Sequence, residues 1–256
     1  YDVLIIATPS FYIDNVLAPL TASLENKVIF SAVKGIVPEQ KVLVGAYLAE
    51  KFNVDEALFG VIGGPCHAEE VALERLSYLT VASSNMSIAV QMKEKLACAY
   101  IQVSLSDDVM GVEYAATLKN VYAIAVGIAH GLGFGDNFIS VLISNSMREM
   151  KRFIKRVDNN KRDINKSAYL GDLLVTAYSV FSRNRMLGNM IGKGYTVKAA
   201  LVEMTMIAEG YYGTKTTYEM STAFDGEYPI LECVYQVLYE KGNAKKKMNL
   251  LSKVLD

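Results

Sequence analysis

As far as about residue 106, short apolar runs bounded by turn residues alternate with stretches of helical period; beyond it only the helical period remains. The runs predict strands at Val3–Ala7, Val28–Val33, Leu58–Ile62, Leu79–Ala82 and Gln102–Leu105, with helical segments at Tyr12–Leu24, Glu39–Lys51 and Ser87–Cys98 between them. Strands apolar on both faces and separated by helices predict an α/β, Rossmann-like unit with a largely parallel sheet covered on both sides. The change of period predicts two domains, 1–106 built on the sheet and 107–256 all-helical. No Pro/Gly/Ser-rich linker separates them, and a long helix starts at the boundary.

In a parallel sheet, ligands bind outside the carboxyl ends of the strands. Three successive predicted strand ends carry suggestive residues: Thr8-Pro9-Ser10, Lys34-Gly35, and Gly63-Gly64-Pro65-Cys66-His67-Ala68-Glu69. Gly63 and Gly64 permit a tight turn and close approach of a ligand to exposed N–H groups. Lys34 places a cation on the same edge. Each alone is ordinary turn chemistry, but the topology makes the three neighbours. Cys66 beside His67 is a poor nucleophile pair, because adjacent residues on an extended chain point to opposite faces and no third orienting group follows.

In the helical half, Lys119 and Asn120 sit inside the almost wholly apolar stretch from Gly111 to Asn137. The helical neighbours of Lys119 are Ala115, Ala116, Tyr122 and Ala123, which leave open space around the ammonium. Either the lysine snorkels to water along a helix edge, or it is a charge held over a pocket for an anion or a carbonyl oxygen. Asp172 and Thr176 lie four apart on one helical face, with Asp172 placed as an N-cap; a helix continuing onward would add Arg183 to that face. Arg183-Asn184-Arg185 offers guanidinium and amide donors suited to phosphate oxygens. Glu209, in IAEGYY (207–212), is a further acid at the end of an apolar turn. Residues 151–166 hold seven Lys/Arg against Asp158 and Asp163 and read as a solvated surface, as does the lysine-rich amphipathic tail 241–256. No GxGxxG follows a strand; Gly131-Leu-Gly-Phe-Gly135 lies in the helical half and is not a dinucleotide fingerprint.

Composition narrows the function classes. A hydrophobic content of 52% and a net charge of −1 describe a globular chain without a global pull towards nucleic acid or anionic membrane. Three widely spaced cysteines without a CxxC pair fit a reducing, cytoplasmic setting, and two histidines supply no metal cluster. No apolar run reaches transmembrane length, and YDVLIIATPS reads as a strand rather than a signal peptide.

The stretches VKG (33–35), GGPxxAxE (63–70), GVExxxxLKNxxAIxxGI (111–128), GLGxGDN (131–137), GDLxxT (171–176) and SRNR (182–185) occur in this order. Together they resemble the bacterial-type NAD(P)-dependent glycerol-3-phosphate dehydrogenases over nearly the whole chain. The resemblance implies a cofactor-binding Rossmann domain followed by an all-α substrate domain, a homodimer, and reversible reduction of dihydroxyacetone phosphate by NAD(P)H in the supply of glycerophospholipids. Carried over by motif, Lys119, Asp172 and Lys34 are catalytic. Lys34, Gly64, Cys66, Lys119, Asn120, Asp172, Thr176, Ser182, Arg183 and Asn184 hold substrate, Arg183 and Asn184 at its phosphate. Pro9, Lys34, Ala68, Arg183, Ile207 and Glu209 line the cofactor, whose NAD or NADP form the sequence leaves open. The chain departs from the family in several places. The N-terminal glycine fingerprint is absent, so the Rossmann unit is expected to be incomplete, beginning at what resembles the fourth strand. Cys66-His67 replaces the usual Ser/Thr-Phe, His130 stands where Asp is common, and Ala168-Tyr169 departs from a glycine-rich lead-in. Two alternatives stand beside this reading: a related two-domain hydroxyacid dehydrogenase of the 6-phosphogluconate dehydrogenase-like group, and a non-catalytic binding protein.

Overall fold

The computed structural model describes residues 3–256, which fold as two compact units. The first comprises the chain up to Ala116 together with Asn165–Asp172, the second Thr117–Ile164 and Leu173–Asp256.

The first unit is built on five strands in sequential order: β1 (Val3–Ile6), β2 (Val28–Ser31), β3 (Phe59–Gly63), β4 (Ser77–Ala82) and β5 (Ile101–Ser106). Pairings β1–β2, β2–β3 and β4–β5 are parallel, as the apolar runs predict. The pairing β3–β4 is antiparallel, which corrects the expectation of a uniformly parallel sheet. The connections explain the difference. Residues 64–76 contain only the five-residue α3 (Ala68–Ala72), too short for a crossover, whereas β4 and β5 are joined through the eleven-residue α4 (Met86–Leu96). Phe30, Ile62, Val81 and Val103 pack with Ile88, Ala89 and Met92 of α4 into a core on one face of the sheet.

Two predicted helices are shorter than their periodicity. The first is a single 3-10 turn, Ser10–Tyr12, followed by α1 (Ile13–Leu17); Pro19 stops it, because proline has no N–H to donate to the next helical carbonyl. The second, α2 (Val44–Phe52), starts five residues later than Glu39. The chain before it turns at Lys41 (φ 57°), where Val37 bridges to Val42.

The change of period near residue 107 corresponds to the end of β5 at Ser106 and the start of α5 (Val109–Gly131). The remaining helices are α6 (Asp136–Val157), α7 (Asp172–Tyr178), α8 (Arg183–Gly192), α9 (Val197–Glu203), α10 (Glu209–Ser221), α11 (Pro229–Tyr239) and α12 (Ala244–Leu251). The glycine string Gly131–Gly135 is the α5–α6 turn, with Gly133 at φ +84° and Gly135 as the N-cap of α6. Between α6 and α7 the basic segment is not uniformly solvated, since the Arg162 side chain is buried and paired with Asp158.

Within the second unit α5 and α8 cross at backbone contact. A Cβ on Gly127 would lie 2.2 Å from the Arg185 carbonyl oxygen, and one on Gly131 2.4 Å from that of Asn189. In return, a Cβ on Gly188 would meet the Ile124 oxygen at 2.1 Å, and one on Gly192 the Ile128 oxygen at 2.4 Å. Glycines spaced by four on both helices therefore interlock.

A recurring device closes both units: a buried glutamate satisfies the N-terminal N–H groups of a distant helix. Glu113 accepts from Gly45 at the start of α2 (3.4 Å), and Glu149 accepts from Ile230 and Leu231 at the start of α11 (2.9 Å each). Burial pushes the Glu149 carboxyl up to about 7, with the two N–H groups and Arg152 pulling the other way. Its folded value thus lies above the ordinary 4.5, so the folded chain keeps a proton that the unfolded chain releases between about 4.5 and 7. Stability contributed by this group falls as pH rises through that window and is flat above it. Glu149→Gln keeps an acceptor oxygen but cannot titrate. Between pH 5 and 8 the wild type should lose about 2–3 kcal/mol more than the variant, read from urea unfolding at each pH. Parallel curves for the two proteins contradict the assignment.

Candidate active site

In the first unit, β1, β2 and β3 run the same way, so the loops after them share one edge of the sheet. After β1, Pro9 opens the 3-10 turn that buries Ser10. The Thr8 hydroxyl before it is buried without a hydrogen-bond partner among the described residues. Beyond β2, the Ser31 hydroxyl accepts from Val33 N–H (3.2 Å) and shapes the turn that presents half-buried Lys34. The turn after β3 needs glycine at residue 64: its φ is +102°, and a Cβ there would lie 3.0 Å from the Tyr78 carbonyl oxygen. Cys66 follows, half-buried, and Ala68 begins α3 at the surface.

Asp172 belongs to the same unit. A π-helical turn, Ser167–Gly171, runs without a break into α7, so Asp172 is inside a continuous helix and not an N-cap as its sequence position predicts. The turn is anchored by Tyr169, whose hydroxyl donates to Asp108, and Asp108 in turn accepts from Gly111 N–H at 3.1 Å. A Cβ on Gly171 would stand 3.6 Å from the Pro65 ring, which seats Asp172 beside the glycine turn. Asp172 is 1% exposed. Burial pushes the Cys66 thiol up, Lys34 pulls it down, and Asp172 adds to the rise. Cys66 is therefore a neutral thiol at neutral pH, and Lys34 and Asp172 both act on its surroundings. A thiol raised in this way is a weak nucleophile at neutral pH.

In the second unit, Lys119 is 3% exposed and Asn120 5% exposed, which removes the snorkelling reading: this ammonium does not reach water along a helix edge. Asn184 holds Asn120 and is itself held by Gly210. Asn184 Nδ2 donates to Asn120 Oδ1 at 2.9 Å, and Asn184 Oδ1 accepts the Gly210 N–H at 2.8 Å. A Cβ on Gly210 would lie 2.6 Å from the Asn120 carbonyl oxygen, so α10 reaches α5 only because residue 210 is glycine. The interlocked glycines of α5 and α8 set the separation at which this bridge closes.

Thr176 is buried on α7 in the turn after Asp172. Helix α7 ends at Tyr178, so Arg183 is not on its face as a continuing helix would require. Arg183 instead opens α8, exposed to solvent. Ser182 is the N-cap of α8, its hydroxyl accepting from Arg185 N–H at 3.2 Å. Ile207 and Glu209 are half-buried at the start of α10. Sequence patterns gave no role to Gly210, whose only signal was adjacency to Glu209. Arg185, one of the phosphate-suited donors of the RNR string, has its Nε buried with no hydrogen-bond partner among the described residues.

Known proteins resemble the chain along its length. The family model described as NAD-dependent glycerol-3-phosphate dehydrogenase N-terminus matches residues 1–89, and its C-terminus counterpart matches 108–249. Glycerol-3-phosphate dehydrogenase [NAD(P)+] of Enterococcus faecalis is 35% identical over 240 residues, covering 93% of this chain and 71% of the relative. The Bacillus subtilis protein of the same name is also 35% identical, covering 93% and 70%. The crystal structure of glycerol-3-phosphate dehydrogenase from Coxiella burnetii superposes with a TM-score of 0.90 at 29% identity, over 98% of this chain and 76% of that one. Matched by both family models and by relatives at this identity, the chain belongs to the NAD-dependent glycerol-3-phosphate dehydrogenase family of oxidoreductases.

Proposed function

We propose that this chain catalyses the reversible reduction of dihydroxyacetone phosphate to sn-glycerol 3-phosphate with NAD(P)H, supplying glycerophospholipid synthesis. The observation that carries the reading is the buried Lys119 beside Asn120, which is held by an Asn184 that Gly210 fixes in turn. The sheet edge suits the cofactor, because Thr8 brings an unsatisfied buried hydroxyl and Lys34 a cation to the carboxyl ends of parallel strands. By the family resemblance, Pro9, Lys34, Ala68, Arg183, Ile207 and Glu209 would hold it. When bound, it supplies the hydride.

The chain's own groups do the rest. As the substrate carbonyl is reduced, negative charge grows on its oxygen, and a fixed cation there stabilises the transition state more than the ground state. Lys119 takes that role and delivers the proton; Asn120 donates beside it. The family motif assigns Asp172 and Lys34 as the further catalytic groups. Gly64 and Cys66 leave room at the carbonyl end, with the neutral thiol adding no charge. Thr176 and Arg183 hold the phosphate, while Ser182 and Asn184 fix the start of α8 from which Arg183 projects. Three free cysteines, one of them exposed, support a reducing cytoplasmic setting, and the family resemblance supports a homodimer. No described helix is long and apolar enough to cross a membrane.

A steady-state assay with NAD(P)H tests the substrate. Arg183→Ala should raise KM for dihydroxyacetone phosphate about 10- to 10²-fold, the worth of a charge-assisted bond to a phosphate. Dihydroxyacetone, without the phosphate, should be reduced as poorly by the variant as by the wild type. Equal losses with both compounds sink the assignment.

A further inference from the structure

The helical unit contains a second concave site, which shares no residue with the Lys119–Asn184–Gly210 cluster. The C-terminal ends of α8 and α11 and the N-terminal turns of α9 and α12 line a cavity of about 950 Å³. This lies within the size range of small-molecule sites. Ile191, Leu201, Val237 and Leu238 make it apolar. Tyr211 and Tyr239 also line it, stacked at 5.0 Å between ring centroids, and the Tyr239 hydroxyl is satisfied by the Tyr211 carbonyl at 2.6 Å.

The charge of the lining has one sign. Lys198, Lys241 and Lys245 belong to it and no Asp or Glu does. All three lysines are exposed, and none forms an ion pair among the described residues. A surface shaped only for solubility intersperses both signs, and three like charges around one apolar hollow repel each other. The N-terminal end of α12, capped by Asn243, adds positive potential beside Lys245. Lys241 is also held at φ 56°, a backbone region that favours glycine, although Gly242 follows it directly.

We propose that this cavity binds an amphipathic anion: an aromatic or aliphatic body seated on the tyrosines and aliphatic side chains, with one carboxylate, phosphate or sulfonate held by the lysines. Such a ligand would touch the two helices that fix Asn120, through Ile191 and Gly192 at the far end of α8 and through Tyr211 next to Gly210.

Two fluorescent probes separate the two halves of the claim. 8-Anilinonaphthalene-1-sulfonate carries an anionic head, and N-phenyl-1-naphthylamine is the same aromatic body without it. The full chain should bind the sulfonate at one saturable site, about tenfold or more tighter than the uncharged probe. The combined variant Lys198→Gln/Lys241→Gln/Lys245→Gln should lose that preference, with the uncharged probe changed by less than about twofold. Its melting temperature should match the wild type, since the three side chains are exposed; if it does not, Lys198→Glu alone must produce the same shift. Equal affinity for the two probes, or unchanged sulfonate affinity in the variants, overturns the proposal. Sedimentation velocity gives the remaining outcome: if the probe binds only as a dimer dissociates, the cavity is a subunit interface and the proposal is likewise wrong.

Discussion

Replacing Lys119 with alanine is expected to lower kcat for dihydroxyacetone phosphate by at least about 10²-fold, with little change in KM. The magnitude is that of removing one preorganised donor from a developing oxyanion, about 2.7 kcal/mol or more of transition-state stabilisation. The argument starts from desolvation. An ammonium 3% exposed on an apolar helix is costly to bury, and burial is also what makes it effective, because a charge in a low-dielectric, fixed environment acts on a nearby oxygen without first reorganising water. Asn120 explains why it stays in place, since the bridge through Asn184 to Gly210 fixes the helix turn that carries it. Lys119→Met, which keeps most of the packing volume, separates chemistry from structure. It should show the same loss of kcat while retaining wild-type near-ultraviolet circular dichroism. A Met variant that turns over within about tenfold of the wild type would falsify the catalytic role, because structural packing would then account for the alanine effect.

How much of this was legible in the sequence depends on whether a feature is local. Lys119 stood out because one charge in an apolar helix violates the usual partition, and the structure places it inside. The shared edge of Thr8, Lys34 and Gly63–Cys66 was legible because apolar strands with helical connections imply parallel pairing, which holds for β1, β2 and β3. The antiparallel β4 was missed through giving too little weight to connection length, although the brevity of residues 64–76 was in plain view. Asp172 resembled an N-cap because Asp at a helix start is the commonest reason for that residue; the π-helical turn before it depends on Tyr169 reaching Asp108, a contact 61 residues apart. Asn184 looked like a phosphate ligand beside two arginines, yet its carboxamide is engaged on both sides by Asn120 and Gly210. The glycines of α5 and α8 carried no readable message, because spacing by four becomes meaningful only once the two helices are known to cross.

That crossing supports the second large prediction: Gly188→Ala should destabilise the helical unit by about 3 kcal/mol or more. The added methyl would lie 2.1 Å from the Ile124 carbonyl oxygen, 2.8 Å from the Ile128 nitrogen and 3.0 Å from the Gly127 Cα. All three are backbone atoms of α5, so no side-chain rotation relieves the overlap, and the helices must part by more than 1 Å to reach ordinary contact at about 3.4–4 Å. Parting them also opens the gaps around Gly127, Gly131 and Gly192, which loses dispersion along the whole seam. Gly135→Ala is the control. That residue has φ −79° with nothing within 4 Å of its Cβ, and as an N-cap it should cost less than about 1 kcal/mol on replacement. Urea unfolding followed by far-ultraviolet circular dichroism would give the two midpoints, and similar values for both variants would refute the interlock. The same displacement has a catalytic signature. Asn184 lies in the first turn of the helix that Gly188 seats against α5, so separation lengthens the 2.9 Å bond to Asn120. Below the unfolding transition, Gly188→Ala should therefore lose kcat beyond its unfolded fraction, whereas Gly135→Ala should not.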